Sequence, residues 1–478
     1  MGKARGLALV AVLALAGCGR SSAPTPSNAT LHLALPLVPR QLDPAKATDL
    51  PSLNVAHELY SGLTRYSGTG VAPDLAESWD VEQNGLVWTF HLRKGLRWSD
   101  DSPIVAGDFR RAWLRALDPK IGAAYAGPYL GIVRGARRYH ATGKGALAVQ
   151  ALDDRTLRVT LQHPVPWFDE LVAHPVTAPE PPRPSAYSGP FRLVSRSGGR
   201  LVLERNFNYW DAKAVKPSRL VFSTSTSSAD AVLPRGLAGP GLPWVQTATA
   251  NGARRLPLLA AELIWFVTRR PALAVPAERS GIAGAVGDET LNDLVPEAMP
   301  GRTVITSGPA RVEGQVSPQR LRVAYTTEDA LAPALLSAIT TKLASSGVTV
   351  QPVAFPTLSG LVRATGPPAR SDIDAVLLGW SSKIFDQYNI FDLFPCGSAF
   401  NVAQWCDPSY DALMRKTVRE LDDGARWRLE RDALAKLRTT TPAAPVAQPS
   451  ESVTLAHGVT GFSWSPIGFY ELMGMTRS

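Results

Sequence analysis

Residues 72–79 read APDLAESW, and residues 87–100 read VWTFHLRKGLRWSD. In the second stretch Trp88, Phe90 and Leu92 alternate with Val87, Thr89 and His91, the period of a half-buried strand. Asn84-Gly85 before it and Lys94-Gly95 after it supply turn chemistry, so it predicts one strand of a hairpin or meander. Downstream, residues 108–117 (DFRRAWLRAL) carry an amphipathic helical pattern with Asp108 as the expected N-cap. Upstream, Leu53, Ala56, His57 and Tyr60 fall at helical spacing. Further strands are expected at 31–35, 156–161 and 200–204, and the proline-rich stretch 176–184 reads as a linker. In the C-terminal half, strand patterns at 321–325, 348–353 and 374–380 surround a helical pattern at 330–345. That succession predicts a parallel α/β unit. Helical patterns at 410–421 and 426–437 follow.

The chain has 478 residues, 45% of them hydrophobic and 19% charged, which is ordinary globular composition and enough for about three domains. Its one long apolar run, Leu7 to Ala16, is too short to span a bilayer as a mature helix, which excludes a multipass membrane protein. The formal charge of +9 comes from scattered residues, mostly Arg, so no nucleic-acid-binding stripe is expected. Lys3 and Arg5 followed by the apolar run form a secretory leader, residues 1–17. Leu15-Ala16-Gly17-Cys18 resembles the lipobox of bacterial lipoproteins, which implies lipidation of Cys18 and cleavage before it. Residues 18–30, rich in Ser, Pro and Thr, are expected to be a flexible tether. An extracytoplasmic address turns Cys396 and Cys406 into an expected disulfide, the alternative being two buried free thiols.

Signatures of chemistry do not stand out. The seven histidines show no HxH or HExxH spacing, and there is no Gly-x-Ser-x-Gly elbow, Walker loop or strand-borne Gly-x-Gly-x-x-Gly. The carboxylate pairs Asp100-Asp101 and Asp153-Asp154 sit in turn-like contexts. The expectation is no enzyme, no cofactor and no metal site.

Taken in order, several segments resemble the family-5 extracellular solute-binding proteins, the oligopeptide-, dipeptide- and nickel-binding components of ABC importers. They are Leu42-Asp43-Pro44, 57–63 (HELYSGL), 72–79, 88–100, 106–109 (AGDF), 188–193 (SGPFRL), 203–210 (LERNFNYW), 378–380 (LGW), Trp405 and 408–413 (PSYDAL). The resemblance implies a two-lobe, periplasmic-binding-protein-like α/β fold (type II, cluster C) with an extra inserted domain. Lobe I is expected at 31–53, 178–253 and 442–478, the inserted domain at 54–177 and lobe III at 254–441. It further implies a monomer, membrane-held through its lipid anchor on the extracytoplasmic side, that captures a peptide or similar small polar solute by hinge closure. Its partners would be ABC permease and ATPase subunits, with no nucleic acid.

By the same resemblance Thr48, Asp49 and Leu50 lie on the lobe I edge of the cleft, Gly379, Trp380 and Ser381 opposite them, and Trp265 nearby. Lys383 stands where peptide binders of this kind place an Asp that receives the ligand's α-ammonium, and the next carboxylate is Asp386. Two further departures are Thr268, where the family's strand commonly ends in Asn, and a short stretch from His174 to Gly189 that lacks a usual helix. The alternative reading keeps the fold without transport, as a lipoprotein that scaffolds or regulates cell-envelope assembly.

Overall fold

A computed structural model describes residues 29–234, 252–286, 294–302, 320–329, 331–366 and 372–478. Cys18, the leader and nearly all of the tether lie outside the described residues. The chain begins with β1 (Thr30–Ala34) and α1 (Leu50–Leu59). A four-stranded antiparallel sheet follows: β2 (Ala76–Glu82), β3 (Val87–Leu92), β4 (Val149–Ala151) and β5 (Thr156–Thr160), in the order β2-β3-β5-β4. Helices α2 (Ala106–Leu117) and α3 (Ala126–Leu130) lie between β3 and β4.

The chain returns as β6 (Phe191–Ser197), β7 (Arg200–Arg205), β8 (Arg219–Ser223), β9 (Ala231–Val232) and β10 (Ala253–Pro257). It then crosses to β11 (Ala260–Phe266), α4 (Pro276–Val286), β12 (Arg320–Thr326), α5 (Ala332–Ala344), β13 (Thr349–Phe355) and β14 (Ala375–Ser381). After α6 (Pro408–Thr417), α7 (Asp423–Thr440) and β15 (Ala443–Ala447) it crosses back to β16 (Ser450–Leu455).

Two large sheets result, a seven-stranded one ordered β10-β16-β9-β1-β8-β7-β6 and a five-stranded one ordered β13-β12-β14-β11-β15. Only 258–259 and 448–449 carry the chain from one to the other. The register of the sheets fixes which ends meet there. β11 runs antiparallel to β14, with Ala260 opposite Ser381, so β14 ends where the chain crosses, and β12 and β13 lie parallel to it. In the other sheet β16 starts at the second crossing, β9 runs antiparallel to it, and β1 and β8 lie parallel to β9. Both lobes therefore turn the carboxyl ends of their parallel strands toward the same boundary.

The alternation in β3 does what it predicts: Trp88, Phe90 and Leu92 are buried, with Trp88 opposite Val159 of β5. Asn84 and Gly85 both adopt positive φ in the preceding turn. Helix α2 starts two residues earlier than expected. Asp108 is its third residue rather than its cap, and Oδ2 accepts the Val105 backbone N–H at 3.0 Å. One continuous apolar core joins lobe I (Leu31, Leu33, Phe191, Phe222) to the inserted domain (Phe90, Trp98, Phe109, Trp113). The expected boundary at 53/54 cuts through α1, because that helix packs into this shared core. The boundaries expected at 253/254 and 441/442 precede the crossings, since β10 still pairs with β16 and β15 still pairs with β11.

Candidate functional site

β11 is buried on both faces. Leu263 and Trp265 pack with Phe391, Phe394 and Tyr410, and Ile264 and Phe266 pack on the opposite face with Leu335, Ile339 and Ala283. Trp265, expected in the cleft, is 1% exposed, stacks on Phe394 at 4.8 Å between ring centres and donates Nε1–H to the Leu378 carbonyl at 3.2 Å. It is a core residue of lobe III, because its place in the strand alternation turns it onto the face covered by α6 and α7.

The two backbone segments expected to flank a ligand converge on the inserted domain. Thr48 is exposed, and its carbonyl accepts the Tyr125 hydroxyl at 3.2 Å. Asp49 caps α1, accepting from Ser52 N at 2.8 Å and Ser52 Oγ at 2.7 Å, and Leu50 is the helix's first residue. On the other side, Gly379, Trp380 and Ser381 are the last three residues of β14. Lys383, just beyond, donates from Nζ to the Pro128 carbonyl of α3 at 3.2 Å. Burial lowers the Lys383 pKa, and Asp392 opposes that shift.

Asp386 does not face a ligand. It is 2% exposed and turned into lobe III, where Oδ2 accepts Arg426 Nε–H at 2.7 Å and Oδ1 accepts the Tyr388 backbone N–H at 2.9 Å. Burial, and then Asp386 beside it, pushes the neighbouring Glu430 well above the ordinary carboxylate range.

Lobe III also touches the inserted domain directly. The Phe385 backbone N–H donates to Glu170 Oε2 at 2.5 Å, and Tyr388 stacks on Trp167 at 4.7 Å. Phe385 lies 6.2 Å from Tyr66, which packs at 4.8 Å on Phe469 of the C-terminal segment. His174 stacks on Tyr129 at 4.0 Å, and burial holds His57 and His174 at about 4 and about 3, so both rings are neutral. Between 178 and 190 the chain forms no helix, as the short stretch predicts. Cys396 and Cys406 are joined by a disulfide.

Glu262 escaped notice in the sequence, although it is the one charge in the apolar run AAELIWF. It lies opposite Gly379 of β14 and Ala447 of β15. A Cβ at Gly379 would fall 2.5 Å and 2.7 Å from the two Glu262 carboxyl oxygens. The missing side chain is what lets this carboxyl fold over the end of β14.

Comparison with known proteins rests on this geometry. Residues 70–312, just over half of the chain, match the model of the bacterial extracellular solute-binding proteins, family 5 Middle. The chain belongs to that family. The fold is similar to that of the periplasmic murein tripeptide-binding protein MppA in its unliganded open form. That structure superposes with a TM-score of 0.80 over 94% of this chain and 97% of MppA, at 20% identity. Oligopeptide-binding OppA from Haemophilus influenzae, in complex with the peptide RPPGFSPFR, gives a TM-score of 0.66 over 94% and 99% at 20% identity. Among curated proteins, periplasmic oligopeptide-binding OppA of Escherichia coli is 37% identical over 239 residues, 44% of this chain and 44% of OppA. The match thus spans less than half of OppA's length. The probable deoxycholate-binding periplasmic protein YgiS of Escherichia coli is 26% identical over 471 residues, 85% of this chain and 86% of YgiS.

Proposed function

We propose that this chain is the extracytoplasmic substrate-binding subunit of an ABC importer, held to the membrane through lipidated Cys18. It captures a peptide or similar small polar solute by hinge closure and delivers it to permease and ATPase subunits. The observation that carries the reading is the opposition of parallel-strand carboxyl ends across two chain crossings. In open α/β sheets ligands bind beyond those ends, and a pair of crossings is where a hinge can act. Backbone at Thr48–Leu50 and Gly379–Ser381 supplies donors and acceptors that need no particular side chain.

Charge sets what the ligand's amino end can be. With Lys383 reaching across to α3 and Asp386 committed to Arg426, a free α-ammonium finds no acceptor at either position. A peptide with a blocked amino terminus therefore binds as well as, or better than, the same peptide with a free one. An anionic group is tolerated too, which agrees with the deoxycholate in the name of YgiS.

Titration of one peptide in free and N-acetylated forms, followed by tryptophan fluorescence and small-angle scattering, tests both points. Compaction with equal or tighter binding of the acetylated form supports the reading. Binding with neither a fluorescence nor a size change favours the scaffold alternative, to which the packing of Phe385 and Tyr388 onto the inserted domain lends support. For the anchor, Cys18→Ser should abolish metabolic labelling by palmitate and detergent-phase partitioning.

A further inference from the structure

We infer that Glu262 forms a subsite for a cationic side chain of the ligand, a lysyl ammonium or a guanidinium, at the crossing end of lobe III. The inference rests on the proposed solute-binding reading and adds a ligand class to it. Three observations carry it. Glu262 is 6% exposed, yet its Oε2 is enclosed without a hydrogen-bond donor, and the carboxyl enters no ion pair among the described residues. A buried carboxyl without donors is destabilising, and such a group in a native protein calls for an explanation outside the chain. Its room is built, because Gly379 leaves vacant the space into which the carboxyl folds. Its place is at the boundary between the lobes, three residues after the first crossing and beside Ala447, which precedes the second.

Asp329, in the loop after β12, adds negative potential at Glu262. Its Oδ1 accepts the Leu331 backbone N–H at 2.9 Å, which leaves Oδ2 for another donor. β14 and β15 contribute Gly379 and Ala447 at this position, so neither places a charge there. Burial first, and then Asp329, raises Glu262 to about 8. In the empty protein at pH 7 the carboxyl thus carries a proton. An arriving ammonium keeps its own proton, its ordinary pKa lying near 10.4, and favours the carboxylate. The Glu262 proton leaves to solvent, and the bound pair is ammonium and carboxylate. Lys383 lies beyond the other end of the Gly379–Ser381 segment, so the cation is accepted on one side of that segment and rejected on the other.

The test is calorimetric titration with N-acetyl-Ala-Ala-Lys-amide and its Nε-acetyl-lysine counterpart at pH 7, in phosphate and in Tris, alongside cadaverine. The lysyl peptide is expected to bind at least tenfold tighter than its acetylated counterpart and to release close to one proton. Glu262→Gln should erase both the preference and the proton release, with its melting temperature confirming the fold. Gly379→Ala, which crowds the carboxyl, should erase the preference as well. Equal binding of the two peptides, or a preference that survives Glu262→Gln, overturns the subsite and leaves the solute-binding reading standing. Failure of both peptides and of cadaverine to bind overturns the subsite together with the peptide reading. Cadaverine bound without either peptide, and lost in Glu262→Gln, supports the subsite and overturns the peptide reading alone.

Discussion

Asp386 and Lys383 show how much a single residue's environment decides. Both lie in the segment after β14, yet Lys383 extends to the inserted domain while Asp386 is enclosed against Arg426. The Arg426 guanidinium is 6% exposed and also donates to Asp423 Oδ1 at 2.6 Å and to the Glu420 carbonyl at 3.0 Å. Removing one member of a buried, hydrogen-bonded pair leaves the other charge uncompensated, at a cost of about 3–5 kcal/mol. Arg426 keeps Asp423, so Asp386→Ala should lower the unfolding free energy by about 3 kcal/mol, the lower end of that range, without altering the ratio of affinities for free and acetylated peptides. A selective loss of free-peptide binding, with stability intact, would place Asp386 in the cleft after all. In sequence alone the direction of neither side chain is legible, because Asp386 points to Arg426 of α7, forty residues later, and Lys383 to the Pro128 carbonyl of α3, far earlier in the chain.

Elements were legible where local pattern decides them. β3 follows from its alternation and its two turns, and the Leu321–Trp380 succession of strand, helix and strands follows from periodicity. The start of α2 was misread because Asp108 bonds back to Val105 from inside the first turn, a geometry that the same sequence allows on either side of the helix boundary. The first crossing was not legible, since β10 and β11 are separated by two leucines that carry no turn signal. Glu262 was visible as a lone charge in an apolar strand, but only the pairing with Gly379 reveals the space it occupies. The loop 396–406 permits a test at this scale. Its disulfide contributes about 2–3 kcal/mol by the loop-closure estimate. Asn401 Nδ2 independently ties the loop together, donating to the carbonyls of Phe394, Pro395 and Trp405. A Cys396→Ala/Cys406→Ala double variant should lose no more than about 2–3 kcal/mol in urea unfolding and keep its ligand affinity. A larger loss, or one accompanied by weaker binding, would mean that the bridge positions the neighbouring helices rather than closing a loop that is already held.

At the scale of the whole molecule, carboxyls and imidazoles buried along the seams between domains link stability to pH in opposite senses. Glu58, beneath the C-terminal segment, and Glu262, at the crossing, are both raised to about 8, chiefly by burial. Each keeps a proton in the folded chain that the unfolded chain gives up near 4.5. Its contribution is therefore full in acid and is lost as pH rises through about 8. His57 and His174 are lowered to about 4 and about 3, so their contribution is present above 6.5 and is lost as pH falls through that range. Below pH 6.5 the two sets oppose each other. Between 6.5 and 8 the unfolded histidines finish losing their protons, and with Glu170 and Glu430 also raised by burial, Glu58 and Glu262 supply part of the downward slope. At 1.36 kcal/mol per unit for each proton, these two should withdraw about 2–3 kcal/mol over that window. The melting temperature measured by calorimetry should accordingly fall steadily from pH 6.5 to pH 8. Glu262→Gln cannot ionise and should make that fall shallower, by about a quarter if the four raised carboxyls share it equally, whereas Asp153→Asn, an exposed turn carboxylate, should leave the slope as it is. A melting temperature that is level or rising over the window would mean that neither seam holds a protonated carboxyl, and the cation-for-proton exchange at Glu262 would fall with it.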